Sequence, residues 1–138
     1  VELPVVHRCQ AFLKGVRLVY PQVQDLLGRD DIHLIPVCPE QAGGLATPRP
    51  AAERQGSRVV TANGSEVTAQ YQRGAEAALY WARLFHCTKA ILKEKSPSCG
   101  HGQIYDGTFS RTLTVGDGVT AALLRAEGLE IIGESDLP

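Results

Sequence analysis

Short apolar runs separated by polar or glycine-containing segments set the pattern of this chain. Runs rich in Val, Ile and Leu that end at a polar cluster or a Gly are typical of buried β-strands. On this basis the sequence predicts strands at Leu3 to His7, Ile32 to Val37, Lys89 to Lys93 and Leu129 to Ile132.

Helical periodicity is strongest between Thr68 and Phe85, where small and apolar residues recur every three or four positions and Thr68 can cap the start. A second helix is predicted from Gly118 to Ala126, ended by Gly128. One or two helical turns are expected between Gln22 and Leu27.

The order of these elements indicates an α/β fold. A helix, a glycine stop and then an apolar strand is the pattern of βα units, which build parallel sheets. We therefore expect residues 1–138 to form a single domain with a mostly parallel, Rossmann-like sheet. The exceptions are a predicted small hairpin, 58–60 with 64–67, and two irregular stretches, 41–54 and the glycine-rich loop 94–118.

Composition narrows the function classes. The chain has 138 residues, of which 43% are hydrophobic and 21% charged, so a packed core is expected. A net charge of −1 provides no general attraction for a nucleic-acid polymer. The apolar runs are too short to span a membrane, and the start does not resemble a secretion signal, so a soluble cytoplasmic protein is expected.

The cysteines carry the candidate chemistry. Cys9, Cys38 and Cys99 follow predicted strands or lie in the loop after one, and carboxyl ends of parallel strands meet at one edge of a sheet. With no CxxC pair, a zinc finger is not expected, but three thiolates can hold an iron–sulfur cluster or a zinc ion with an open position. The alternative is that each is a small buried apolar residue, as we expect for Cys87.

Several longer motifs follow one another between residues 31 and 134. They are Pro36-Val37-Cys38-Pro39-Glu40-Gln41, Gly43-Gly44-Leu45, Thr47-Pro48-Arg49, Gly74-Ala75-Glu76, Ala90-Ile91-Leu92-Lys93-Glu94, Ser96-Pro97-Ser98-Cys99-Gly100, Ile104-Tyr105-Asp106-Gly107-Thr108-Phe109 and Gly116-Asp117-Gly118-Val119-Thr120-Ala121-Ala122-Leu123-Leu124. In this order they resemble the DUF523 family, which includes thiouracil desulfidases. Cys9 takes the place of a family cysteine, although its neighbours differ.

The resemblance implies a [4Fe-4S] cluster held by Cys9, Cys38 and Cys99. The fourth iron would bind the sulfur of a thiolated uracil compound: 4-thiouracil, 4-thiouridine or its monophosphate. Sulfur is a soft ligand that a cluster iron prefers, and iron draws electron density from the C–S bond without net electron transfer. The reaction would replace C=S with C=O and release sulfide.

The same motifs supply candidate catalytic groups. Glu40, two residues after Cys38, is placed to activate water, because a carboxyl group in a dry cleft can act as a general base. Ser96 is expected to position the water or the thiouracil, and Ser98 to bond backbone or cluster sulfur. The alternatives are a solvated glutamate and hydroxyls that stabilise a turn.

Candidate substrate contacts lie on the loops. Arg49, Arg111, Lys93 and Lys95 can bind a phosphate, the lysines alternatively balancing the charge of the cluster. The turn that contains Gly118 and Thr120 leads into a helix start, where backbone N–H groups bind anions. Tyr105 is expected to stack on the pyrimidine and Asp106 to accept from a ring N–H, unless both serve their turn.

Two rival functions use the same residues. The domain could store a cluster or zinc and report it to a partner without turnover. It could also be a metal-free enzyme with Cys99 as nucleophile and Lys95 or His101 as base, because a thiolate needs an activating neighbour. Chelation and exposure to air would leave the activity of such an enzyme intact.

Overall fold

The computed structural model describes residues 5–7, 25 and 34–136 of this chain. Within them lies a four-stranded sheet of β1 (Val5–His7), β2 (Ile35–Val37), β5 (Lys89–Leu92) and β8 (Glu130–Gly133). The strand order is β2-β1-β5-β8, and every neighbouring pair is parallel. The α/β class is therefore confirmed.

Two antiparallel hairpins stand outside this sheet. One pairs β3 (Ala52–Gln55) with β4 (Arg58–Thr61), and the other pairs β6 (Gln103–Tyr105) with β7 (Leu113–Val115). Four of the eight described strands are thus antiparallel, so the expected mostly parallel architecture is correct for the central sheet alone. Each hairpin closes through a connection too short to hold the crossover helix of a parallel pair.

The helices α2 (Thr68–Leu84) and α3 (Val119–Ala126) are close to their predicted positions, whereas the short helix α1 (Pro39–Ala42) was not predicted. A 3-10 turn follows β8 at Glu134–Asp136. The helices α2 and α3 pack on each other, and the core lies between them and the parallel sheet. It contains Val37, Ala78, Leu79, Ala82, Ala90, Leu92, Ala121 and Leu124. The predicted helical turns at 22–27 lie outside the described residues, Asp25 excepted.

Three loop predictions need correction. The pairing expected between 58–60 and 64–67 is present only as one antiparallel bridge, Val60 to Glu66, and β4 pairs mainly with β3 across a tight turn at Gly56, where φ is +63°. The stretch 41–54, expected to be irregular, includes the end of α1 and the start of β3. The stretch 94–118 contains β6 and β7, whose three residues each are too few for alternation to show.

None of the described helices has both the length and the apolar content needed to cross a membrane.

Candidate functional site

Two of the three candidate cysteines lie beyond the carboxyl ends of strands in the parallel sheet. Cys38 directly follows β2, and Cys99 lies in the segment that follows β5. The strand between them in the sheet is β1, which Cys9 follows by two residues in the sequence, although Cys9 itself lies outside the described residues. The three strands that precede the candidate cysteines are therefore neighbours in the sheet, as a shared site at this edge requires.

Cys38 caps the short helix α1. Its backbone is extended (φ −114°, ψ 100°), Pro39 occupies the first helical turn, and the Gln41 N–H approaches the Cys38 Sγ at 3.4 Å. Cys38 is disulfide-bonded in this structure, so binding a metal through it requires reduction to the thiolate. Cys38 is half-buried between the end of β2 and the start of α1, the short helix that contains Glu40.

The Glu40 carboxylate is buried beside this sulfur. Its Oε2 lies 3.7 Å from the Cys38 Sγ and 3.4 Å from the Arg49 Nη2, and the side chain is 5% exposed. A buried carboxylate is stable only when a partner charge or hydrogen bonds compensate for its lost hydration, and Arg49 supplies that charge. The predicted candidate base therefore lies against a predicted cluster ligand.

Tyr71 completes this charged group and was missed in the sequence. It lies on α2, is 4% exposed, and its hydroxyl is close enough to Glu40 and Arg49 for both charges to act on it. Burial raises the pKa of Tyr71 well above its ordinary value, and the charges of Glu40 and, to a smaller extent, Cys99 act in the same direction, while Arg49 opposes them. The only signal in the sequence was an aromatic ring on the apolar face of a helix, which is also typical of core residues.

Two glycines let α2 approach this site. A Cβ atom at Gly74 would lie 1.9 Å from the Pro39 carbonyl oxygen, and one at Gly43 would lie 1.9 Å from the Gln70 carbonyl oxygen. The backbones of α1 and α2 are therefore in direct contact, which holds Tyr71 against the Glu40 segment. Steric exclusion of any side chain explains both glycines, because neither has a positive φ.

The second cysteine lies in the Cys99 turn, residues 96–100. The Ser96 hydroxyl accepts hydrogen bonds from the N–H groups of Ser98 and Cys99, both at 3.1 Å, and the Gly100 N–H donates to the Ser96 carbonyl at 2.8 Å. Cys99 is fully buried. Ser96 therefore holds the turn that presents Cys99, and its hydroxyl proton can still be donated.

The start of α3 is built into the same turn. The N–H groups of Gly118 and Thr120 donate to the carbonyls of Gly100 (2.7 Å) and Ser98 (2.8 Å). The side chains of Ser98 and Thr120 are both fully buried, and their hydroxyls lie 2.9 Å apart. The N–H groups of Gly118 and Thr120 are thus hydrogen-bonded to protein carbonyls, and Ser98, Gly118 and Thr120 all contribute to holding the turn.

The loop between β6 and β7 carries the predicted stacking residue. Tyr105 is half-buried at the end of β6. The Asp106 carboxylate accepts from both the hydroxyl and the N–H of Thr108, and these hydrogen bonds lower the pKa of Asp106. Asp106 therefore acts within its own turn. A second carboxylate, Glu53 of β3, is buried and accepts from the N–H groups of Gly107 (3.0 Å) and Phe109 (3.1 Å).

The other predicted cations lie nearer the surface. Lys93 follows β5 and is half-exposed, whereas Lys95 and Arg111 are exposed and both have a positive φ, at +67° and +60°. His101 lies 3.7 Å from an Asp136 carboxylate oxygen. Exposed cations can meet an anionic substrate without first breaking a buried contact.

Outside this site, Cys87 is half-buried, and burial raises the pKa of its thiol. Residues 5–7, 25 and 34–136 contain no group of three Cys, His, Asp or Glu side chains close enough to hold a metal ion. The predicted third ligand, Cys9, is not among those residues, so the predicted set of three is incomplete within them.

Known proteins are similar to this chain in sequence and in fold. The sequence matches the model of a family described as 2-thiouracil desulfurase over residues 11–136. It is 43% identical over 118 residues to the uncharacterized protein YbbK of Bacillus subtilis (strain 168), a match that spans 78% of each chain. Among solved structures, it is similar to the [4Fe-4S]-dependent thiouracil desulfidase TudS, with a TM-score of 0.83, 42% sequence identity, and coverage of 100% of this chain and 94% of that one.

Proposed function

Because this chain belongs to the 2-thiouracil desulfurase family, we propose that it is a [4Fe-4S]-dependent desulfidase of thiolated uracil compounds. Water replaces sulfur at the ring carbon: the C=S bond becomes C=O, the sulfur leaves as hydrogen sulfide, and no electrons are transferred overall. The observation that carries the proposal is a buried carboxylate, Glu40, 3.7 Å from the sulfur of Cys38.

The described residues fit an iron–sulfur cluster. Thiolates are the usual protein ligands of such clusters, and Cys99 is fully buried while Cys38 is half-buried. In this proposal residues 1–138 form one Rossmann-like domain, and Cys9, Cys38 and Cys99 hold three irons beyond the carboxyl ends of its parallel strands. When bound, the cluster supplies a soft Lewis acid for the thiocarbonyl sulfur.

The chain itself supplies the proton chemistry. Glu40 accepts the proton of the water that attacks the ring carbon, because it is the buried carboxylate next to a ligand sulfur. The Ser96 hydroxyl accepts hydrogen bonds from two backbone N–H groups. These bonds polarise the hydroxyl, which makes it a better hydrogen-bond donor to the substrate or the water. The other hydroxyl of the turn, on Ser98, is hydrogen-bonded to the Thr120 hydroxyl and keeps the cluster-binding Cys99 in place.

A small substrate fits the surface around this edge of the sheet. Tyr105 offers a half-buried ring for stacking on the pyrimidine, and the exposed side chains of Lys95 and Arg111, with Lys93, offer positive charge to a phosphate. The proposed substrates are therefore 4-thiouracil, 4-thiouridine and 4-thio-UMP, with the 2-thio isomers named by the family as comparators.

The test is anaerobic reconstitution with iron and sulfide, after reduction, followed by loss of thiocarbonyl absorbance and release of sulfide. We expect turnover by the wild type and none by Cys9→Ser, Cys38→Ser or Cys99→Ser. Glu40→Gln should keep the cluster absorbance but lose about 10²- to 10⁴-fold in kcat. Cys87→Ser is the matched control and should retain both.

Two outcomes would favour the rival functions. A cluster of normal absorbance in a wild type that turns over none of the substrates would indicate a sensing module. Full activity of the wild type after chelation in air would indicate a metal-free cysteine enzyme, and full activity of Cys99→Ser would exclude the cluster mechanism as proposed.

A further inference from the structure

We infer that Arg49 and Tyr71 act as a pair of positioning residues for the Glu40 carboxylate, and that Arg49 is not the phosphate ligand that its motif suggested. This inference rests on the proposed function, because it assigns the pair to the orientation of the base in that reaction. It is carried by the contacts of three side chains from three separate segments of the chain.

The Arg49 guanidinium is bound on several sides by the protein. Its Nη1 donates to the Thr47 Oγ1 at 2.9 Å and to the Ala46 carbonyl at 3.2 Å, while Nη2 lies 3.4 Å from the Glu40 Oε2. The side chain is 18% exposed. A phosphate ligand needs the two-pronged face of the guanidinium to point at solvent, whereas this one is committed to the carboxylate and to its own loop.

The loop that presents Arg49 is itself fixed to α1. The Thr47 hydroxyl accepts from the Gln41 side-chain amide at 2.8 Å as well as from Arg49, and the Leu45 N–H donates to the Glu40 carbonyl at 3.0 Å. The guanidinium and the carboxylate are therefore held in one frame. Their separation depends on few free torsions, as a positioning contact requires.

Tyr71 closes this frame from the side of α2. The charges of Glu40 and Arg49 both act on its hydroxyl, and its ring is buried against Val59 and Val67. It lies one helical turn before Gly74, the residue at which α2 contacts the Pro39 backbone. Phenylalanine at this position would keep the buried ring and lose only the hydroxyl, so the contribution of the hydroxyl can be separated from that of packing.

The experiment is steady-state kinetics of the reconstituted wild type, Arg49→Lys and Tyr71→Phe on 4-thiouracil, 4-thiouridine and 4-thio-UMP. Lysine keeps the charge but not the planar fork, so we expect kcat to fall about 10- to 100-fold by the same factor on all three substrates, with KM within twofold. Tyr71→Phe should lower kcat about fivefold in the same uniform way. A rise in KM confined to 4-thio-UMP would show that Arg49 binds phosphate and would overturn the inference.

A second arm uses Glu40→Gln as the background. A residue that acts through Glu40 has little left to position when the base is gone, so Arg49→Lys and Tyr71→Phe should change the residual kcat of Glu40→Gln less than twofold. If each substitution lowers the kcat of Glu40→Gln by the same factor as it lowers the kcat of the wild type, the pair acts independently of Glu40 and the inference fails. Cluster absorbance per chain and the unfolding midpoint are measured on every variant, and an unchanged cluster in Tyr71→Phe excludes a purely structural cause.

Arg58→Lys is the matched control, because Arg58 also forms an ion pair, with Glu66 at 2.6 Å, but both side chains are at least half-exposed. It should leave kcat and KM unchanged. A wild type that holds a cluster but turns over no substrate would overturn the proposed function, and this inference with it. If the wild type is active but Arg49→Lys and Tyr71→Phe keep their full effect on kcat in the Glu40→Gln background, the inference alone is overturned.

Discussion

The two cysteine-bearing segments are held by different means. The Cys99 turn is stabilised by neutral groups: the Ser96 hydroxyl, the buried Ser98–Thr120 pair and the backbone of α3. The Cys38 segment, residues 38–50, is instead held by charged side chains, since the buried Glu40 forms an ion pair with the half-buried Arg49 beside the sulfur. Among the described residues, ionisable side chains thus lie against the Cys38 sulfur, whereas hydroxyls and backbone groups hold the Cys99 turn.

This difference assigns separate tasks to the two sides. Neutral hydrogen bonds and close backbone contacts give a rigid support whose strength depends little on pH, whereas a carboxylate and a guanidinium can accept and stabilise moving charge. We therefore expect changes in the Cys99 turn to act mainly on stability and cluster content. Changes around Cys38 should act mainly on turnover.

The largest expected effect is that of Gly118→Ala. A Cβ atom there would lie 2.4 Å from the carbonyl carbon and oxygen of Ser98 and 2.7 Å from the Cys99 nitrogen, so the backbone of the turn must move. Such overpacking should cost about 3 kcal/mol of unfolding free energy, measured by urea denaturation, and lower the iron bound per chain.

The control for Gly118→Ala is Gly64→Ala. Gly64 has a φ of +88°, and a Cβ atom there would meet no other atom within 4 Å, so alanine adds backbone strain of about 1 kcal/mol without a collision. Equal losses for the two variants would mean that the contact with the Cys99 turn is not what excludes a side chain at Gly118.

A smaller effect is expected from Thr120→Val. The change removes one hydroxyl of the buried pair and leaves that of Ser98 without its partner, which should cost about 1–2 kcal/mol of unfolding free energy. In Ser98→Ala/Thr120→Val the loss should be less than the sum of the single losses. Thr114→Val, on an exposed position of β7, is the control and should stay within about 0.5 kcal/mol of wild type.

The comparison would fail if Thr120→Val left stability and cluster content intact but lowered kcat. That result would place the Cys99 turn, and not the Cys38 segment, at the centre of the proton chemistry.

The smallest effect concerns alkaline pH. The folded state holds the Tyr71 proton more tightly than the unfolded state, in which the pKa is near the ordinary value of 10.0. Above that pH the unfolded chain binds fewer protons, so stability falls as pH rises. Relative to Tyr71→Phe, the wild type should lose about 0.8 kcal/mol of unfolding free energy by pH 10.5.

Urea denaturation of the cluster-free protein at pH 8 and pH 10.5 measures this loss. Tyr80→Phe is the control, because Tyr80 is 61% exposed and should show no such difference. An identical pH dependence of the wild type and Tyr71→Phe would contradict the burial of the Tyr71 hydroxyl beside Glu40.

The parallel sheet, the helices α2 and α3 and the family could all be predicted from the sequence. Apolar runs locate β2 and β5, and helical spacing locates α2 between Thr68 and Leu84, because burial of one face imposes a regular period on the sequence. The motif around Cys38 and Glu40 also indicated that a carboxylate lies near a thiol, since two residues of separation leave little choice of distance.

The surroundings of these groups depend on how distant segments of the chain pack together. Tyr71 reaches Arg49 because Gly43 and Gly74 let two helices touch, and Thr120 meets Ser98 across 22 positions of sequence. Neither contact can be predicted from a periodic pattern or from residues close together in the sequence. A hydroxyl, a guanidinium or a backbone N–H can serve a ligand or the protein equally well by its chemistry, and its role is fixed by which partners packing brings within hydrogen-bonding distance.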